Sequence, residues 1–506
     1  MAEFEFEKHT GECPLVAREI RSNTMHKEIT ADYVLPDYMG DVKRVLKYNA
    51  FVTPCNKLVS RDEASFVAMV TFKVKYLNSD DLLTEAIFSA DLELAEKLLG
   101  ESADANINYR VQAVTLRLGG PRKITAKASV LCDFSAVEER AISECSEYHG
   151  AEILKKNIGL HTAEYLKCAE REYAEELDKI NEAVSDDFEV IEGSALAFID
   201  GVHKTDGGVN VSGYIDAFCI LRGDDGIVRL EKRIPIEERV ECELYDNSVF
   251  FPAIHVTGAS VNLNNVNNDD NCLVSVVMNM TVDCSLEHHY NQKINVIQDA
   301  FYVGCENKCS YESFEFSRLG DCIFEKASLS ASLPRSEEAL HDVIESEMNV
   351  KNVRYERTGT DLTVMCEAEI HIIARGNGKE DFYSIKENVD FSKKLKLSMG
   401  ENVKINISAT PCDVSVSFDA EKIYIEAQML ISVLTENREC EKMLTEIQYE
   451  KEIKADDRSV IVYYPEKDDT LWSVSKKYAV SPSVIASKNS ITGESLCESK
   501  KIIIVK

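Results

Sequence analysis

Apolar and polar residues alternate along most of this chain, in three successive blocks. In Ser65–Leu77, Phe66, Ala68, Val70, Phe72, Val74 and Tyr76 share one side of an extended chain. That period of two is what a half-buried strand requires. Thr84–Asp91 is strand-like, and Ile107–Leu118 and Lys123–Phe134 flank the turn LGGPRK, whose Gly and Pro punctuate a hairpin. A second block copies the order: FEVIEGSALAF, then Val209–Leu221, IVRLEKRIPIEERV, and the closing pair AIHVTGASVNLN and NCLVSVVMNMTVDC. The third has VKNVRYERT, Asp361–Ala374, FYSIKENVDF, VKINISATPCDVSVSF and KIYIEAQMLISVL. Six or so strands per block, joined by short polar turns, predict three β-sandwich or barrel-like units, over 22–140, 165–295 and 322–450.

Three stretches read as helical. Asp41 to Leu46 suggests a short turn, and Lys167–Val184 and Ser336–Met348 carry apolar residues near helical spacing among mixed charges. The last two predict solvated helical linkers, the second with Ser336 as N-cap.

The pattern changes over 459–506. IVYY reads as a strand. Asp469 is the expected cap of a helix TLWSVSKKYAV with Leu471, Val474 and Tyr478 on one stripe. Ser481 and Pro482 open a second helix, with Val484 and Ile485, that ends near Asn489. KIIIV closes the module as a strand, and Ile485 and Ile503 are expected in its core. The order is βααβ, so the fold class is mainly β with one small α/β module at the end.

The chain has 506 residues, too many for one core. It is 44% hydrophobic and 29% charged, a globular composition. Its net charge of −31 argues against nucleic acid or an anionic membrane as main partner, since both need a basic footprint. From Val460 onward seven Lys face five acidic residues, so the module is about +2 and the rest −33. The N-terminal MAEFEFEKHTGECP lacks the basic and apolar regions of a signal peptide, and no apolar run approaches the ~20 residues of a membrane helix. A soluble, cytoplasmic protein is expected.

Sixteen Cys are scattered through the chain. Cys132, Cys219, Cys284 and Cys366 sit inside strand patterns and read as small buried hydrophobes. Cys305, Cys309 and Cys322 form the only local group; with no second tight pair, structural thiols are favoured over a metal site. There is no GxxxxGK[ST], no GxGxxG after a strand and no HExxH, and GNGKE (376–380) lacks phosphate-loop spacing. His288 and His289 are adjacent and would point to opposite faces of a strand. No cofactor, metal or catalytic residue is assigned, and the expectation is a non-catalytic binding protein.

DDTLWSVSKKYAVSPSVIASKNSI followed by KIIIV resembles a LysM domain. Asp469, Thr470, Leu471, Trp472 and Asn489 match the family pattern, whereas Asp468 stands at a usual Gly and Ser490 replaces the usual residue after Asn489. The resemblance implies a binding groove between the loops Asp468–Trp472 and Asn489–Ile491, which in the family takes N-acetylglucosamine polymers; the two departures lie in it. LPDYMGDVKRVL and PRKITAKASVLCDF resemble the SPOCS domain of spore-coat proteins. Repeated SPOCS-like units before a terminal LysM are similar to SipL-like coat morphogenetic proteins of Clostridia. The resemblance implies a scaffold or adaptor in the mother-cell cytosol that binds a coat morphogenetic ATPase and tethers the coat to the forespore. Self-association of the β units belongs to the same expectation. The alternative is a peptidoglycan-binding protein acting through the module.

Overall fold

A computed structural model describes residues 15–505, apart from Gly100, 144–147, 168–169, 182–183, Asp225, 269–270, 336–339, 377–380, 398–402, Ala420, 454–459 and 497–500. The N-terminal MAEFEFEKHTGECP, Ser336 and most of GNGKE lie outside the described residues.

The chain is mainly β, and one strand plan is used three times. β1 (Leu15–Val34), β2 (Val42–Val59), β3 (Glu63–Asn78), β4 (Leu83–Lys97), β5 (Glu101–Gly120) and β6 (Lys123–Ser143) form two antiparallel sheets, ordered β1-β6-β5 and β2-β3-β4. The second unit comprises β7 (Ala151–Lys167), β8 (Arg171–Asn181), β9 (Glu189–Thr205), β10 (Gly208–Gly223), β11 (Gly226–Glu241), β12 (Val249–Asn268) and β13 (Asn271–Tyr302). Its sheets are β11-β10-β9 and β12-β13-β7, with β8 also paired to β13. The third has β14 (Cys305–Pro334), β15 (Asp342–Thr358), β16 (Asp361–Arg375), β17 (Phe382–Lys396), β18 (Val403–Phe418) and β19 (Lys422–Glu452), ordered β14-β19-β18 and β15-β16-β17.

Each unit closes a core between its two sheets. Phe66 to Tyr76 on β3 meet Ile124 to Phe134 on β6; β10 meets β13 and β16 meets β19 in the same way. The six residues of the Phe66–Tyr76 alternation are all buried. Cys132, Cys219, Cys284 and Cys366 are buried in these cores.

Some strands outrun their sandwich. β13 has 32 residues, roughly 100 Å when extended. One part pairs with β8 and β12, and the part from Ser285 to Tyr302 pairs with β7. β1 with β6, and β14 with β19, likewise continue as two-stranded ribbons. Ala17, Leu160, Val296, Phe314, Phe316 and Met443 join the three ribbons in one apolar stem.

The expected helices are strands. Tyr173, Leu177 and Ile180 do pack on the second core, but from β8. Leu177 is a bulge residue in the β8–β13 register, between Glu176 opposite Val277 and Asp178 opposite Val276. A bulge shifts the phase of the alternation, so a strand acquires helix-like spacing. Leu340, Ile344 and Met348 recur every four residues, a spacing that suits one strand face as well as a helix; β15 covers most of that segment. Asp41–Leu46 forms no helical turn either. The turn lies earlier, with Met39 N donating to the Pro36 carbonyl, and β2 starts at Val42.

The C-terminal module is β20 (Val460–Tyr463), α1 (Leu471–Tyr478), α2 (Pro482–Asn489) and β21 (Ile502–Val505), with β20 and β21 antiparallel. Val474, Val480, Ile485, Leu496, Ile502 and Ile504 form its core. Ile503, expected inside, is 38% exposed; strand alternation puts Ile502 and Ile504 inward instead. No described helix is long and apolar enough to cross a membrane.

Candidate functional site

The two loops of the expected groove contribute unequally. Thr470, not Asp469, caps α1: its Oγ1 accepts from Ser473 N at 3.0 Å, and Ser473 Oγ accepts from Thr470 N in return. Asp469 is held one position earlier by Tyr463 Oη at 2.6 Å and Glu466 N at 2.8 Å. Those donors keep its carboxyl below its ordinary range. The Asp469–Leu471 backbone then pairs with Glu494–Leu496: Leu471 N donates to the Glu494 carbonyl and Leu496 N to that of Asp469.

Asn489 is spent internally. Its amide nitrogen donates to the Ile485 and Ile503 carbonyls, and its Oδ1 accepts from Ile503 N at 2.7 Å, pinning α2 to β21. Ser490 follows with φ 55°, a left-handed terminus usually given to Gly or Asn. Ile491 packs against the module core. Asp468 is exposed. Ser481 does precede Pro482 at the head of α2, but its hydroxyl meets Ser483 and caps nothing.

Trp472 points at the stem. Its Nε1 donates to Asp299 Oδ2 on β13 at 2.9 Å, and its ring meets Phe301 edge-on at 5.2 Å between centroids. Lys476, one turn along α1, pairs with the same carboxylate and reaches Tyr311 Oη at 3.2 Å. Tyr311 Oη itself donates to Asp299 Oδ1 at 2.7 Å, and Gly304 N donates to the Ala479 carbonyl at 2.8 Å. Burial disfavours ionisation of Asp299, but Lys476, Trp472 and Tyr311 outweigh it and hold its carboxyl below the usual carboxylate range. Asp299, Phe301 and Tyr311 were not legible as site residues. Their only signal is a register shift beside Asp299, which the sequence pattern does not expose.

The three sandwiches meet at a second constellation. Lys47, Glu192 and Glu345 occupy matching places, paired across to Lys75, Ile220 and Ile373 in their own sheets. Lys47 contacts Glu345 at 2.6 Å and also Glu347; Lys75 contacts Glu192 at 2.6 Å, Glu85 at 3.6 Å and also Glu345. Around them Leu46, Leu77, Phe218, Ile220, Ile344 and Phe382 form an apolar ring drawn from all three units. Burial opposes ionisation of Glu345, yet Lys75 and Lys47 keep its carboxyl well below the ordinary range. Glu85 is pushed up to about 7 by burial and by Glu192.

Nearer the stem, His161 Nε2 lies 3.0 Å from His289 Nδ1, and Glu287 accepts from Asn106 at 2.8 Å and Asn108 at 3.0 Å. Burial, then His289, lowers the His161 pKa to about 3. His288 turns the other way, to Ser248 Oγ at 2.7 Å, as adjacent strand positions require. A cavity of about 770 Å³ opens beside His161, edged by Glu19, Phe316, Lys404, Glu436 and Arg438. Cys305 and Cys309 share one end of β14, while Cys322 lies on the order of 40 Å along the same strand. Among the described residues no group of three His, Cys, Asp or Glu could hold a metal ion.

No family model matches this chain, and neither a curated protein nor a solved structure does.

Proposed function

We propose that the chain is a non-catalytic adaptor of spore-coat assembly, in which the fused β units form a scaffold and the terminal module supplies a binding end. The observation that carries this reading is the division of labour. Three units of like topology are locked together by buried ion pairs, whereas the module is a separate small core joined to the stem through one helix face. A rigid block with a detachable recognition unit suits tethering, where linked weak contacts gain avidity. The resemblance supplies the partner, a coat morphogenetic ATPase at the forespore surface, and the place, the mother-cell cytosol. Asp469 and Asn489 spend their hydrogen-bonding groups inside the module, which weighs against the alternative, an N-acetylglucosamine-polymer site in that groove.

Capture from sporulating cells tests it, using the full chain and a chain ending before Val460. Recovery of the coat ATPase by the first and its loss from the second is the expected result. Equal recovery by both removes the module from the mechanism.

A further inference from the structure

The face of α1 that meets the stem is chemically specific. It presents an indole N–H and an ammonium one helical turn apart, and Asp299, Phe301 and Tyr311 satisfy them. Asp299 and Phe301 belong to one strand and stand two residues apart, so both side chains leave the same face of β13. What α1 grips is therefore an extended acidic-x-aromatic segment, and Asp299-Ala300-Phe301 is the copy that the chain itself seats there.

We infer that this α1 face is an interaction surface for an acidic-x-aromatic strand of a partner protein, and that the stem occupies it as an intramolecular competitor. The inference rests on the adaptor reading and adds the partner's chemistry and a closed state. Charge complementarity supports the occupant. The grip holds a cation and a neutral donor around one carboxylate, so an aromatic segment without an acid leaves Lys476 and Trp472 Nε1 without an acceptor. Charge-assisted contacts of this kind are short and directional. They are also few here. Among the described residues the Gly304–Ala479 backbone bond, the Trp472–Phe301 ring contact and a long Lys476–Cys309 contact add to them, which leaves docking within reach of competition. A partner strand need only match what Asp299 and Phe301 supply and gain further contacts beyond it.

The test uses the single tryptophan, since Trp472 is the only one in 506 residues. Full-length wild type and Asp299→Ala are compared by acrylamide quenching of Trp472, then titrated with a labelled peptide of sequence NVIQDAFYV (residues 295–303) and with its Asp→Asn form. Expected are a two- to threefold rise in quenching in Asp299→Ala, peptide binding at least tenfold tighter than to wild type, and loss of that binding with the Asn peptide. Far-UV circular dichroism and melting of the β body serve as folding controls, and the more conservative Asp299→Asn replaces Asp299→Ala as the opening variant if the latter fails them. Unchanged quenching in a folded variant overturns the closed state. Equal binding of the Asp and Asn peptides overturns the acidic-x-aromatic specificity. Either failure leaves the adaptor reading standing, because that reading is tested by partner capture with and without the module, which neither measurement touches.

Discussion

The junction of the three sandwiches and the seat of the terminal module are both built from lysines, carboxylates and aromatic or aliphatic neighbours, yet they are opposite kinds of contact. At the junction Lys47 and Lys75 are almost fully buried and share four carboxylates from three units. At the seat, one half-buried carboxylate is shared by Trp472, Lys476 and Tyr311. Breaking one partner of a buried network strands a charge in a low dielectric; breaking a partly exposed one lets water take over. The same residue chemistry thus makes one contact costly to break and the other less so, and burial decides which.

The largest effect is expected at the junction. Lys75→Ala removes the cation that Glu192 and Glu345 share, leaving Lys73 beside the first and Lys47 beside the second, and should cost about 3–5 kcal/mol in chemical denaturation. A loss as small as that of a surface lysine would equate the two regions and break the comparison.

Next come the pH limits of the body. Glu85 has its folded pKa raised to about 7, so the folded state holds its proton more tightly than the unfolded chain. Its contribution is complete below the unfolded value and is lost as pH rises to about 7. From the size of that shift the loss is on the order of 3 kcal/mol. Glu85→Gln should flatten this limb of a stability-against-pH curve. His161 is the mirror case, with its folded pKa lowered to about 3. The neutral ring is favoured in the fold, so stability falls as pH drops below about 6.5, by about 1.4 kcal/mol per pH unit. His161→Gln should flatten that acid limb, and thermal melts from pH 4 to 8 read both.

The smallest effect is at the seat. Trp472→Phe keeps the ring contact with Phe301 and removes the bond to Asp299, for about 1 kcal/mol. Hydrogen exchange should show it in the module and the β13 end alone, with the junction strands unchanged.

Much of the fold was legible because a period of two survives burial. Phe66 to Tyr76, the closing hairpins and the βααβ order of the module were all readable in the chain. The misread segments have identifiable causes. Leu177 is a bulge that turned alternation into helical spacing, and Leu340, Ile344 and Met348 recur every four residues, which suits either element. Ile503 was placed inside because three consecutive isoleucines conceal which face is inward. The long-range contacts could not be read at all. Lys47 and Glu345 are 298 positions apart, and the place of Asp299 beneath Trp472 depends on how far β13 outruns its sandwich. The groove residues were read as a binding surface, whereas Asp469 and Asn489 hold the module's own backbone.

The central claim, that the terminal module is the partner-binding end of an adaptor, is tested most directly by Trp472 emission in the full chain. Purified coat morphogenetic ATPase and, separately, a soluble N-acetylglucosamine hexamer are titrated in. The account predicts a saturable change with the ATPase, abolished by Lys476→Ala, and no change with the hexamer. A saturable response to the hexamer with none to the ATPase contradicts it.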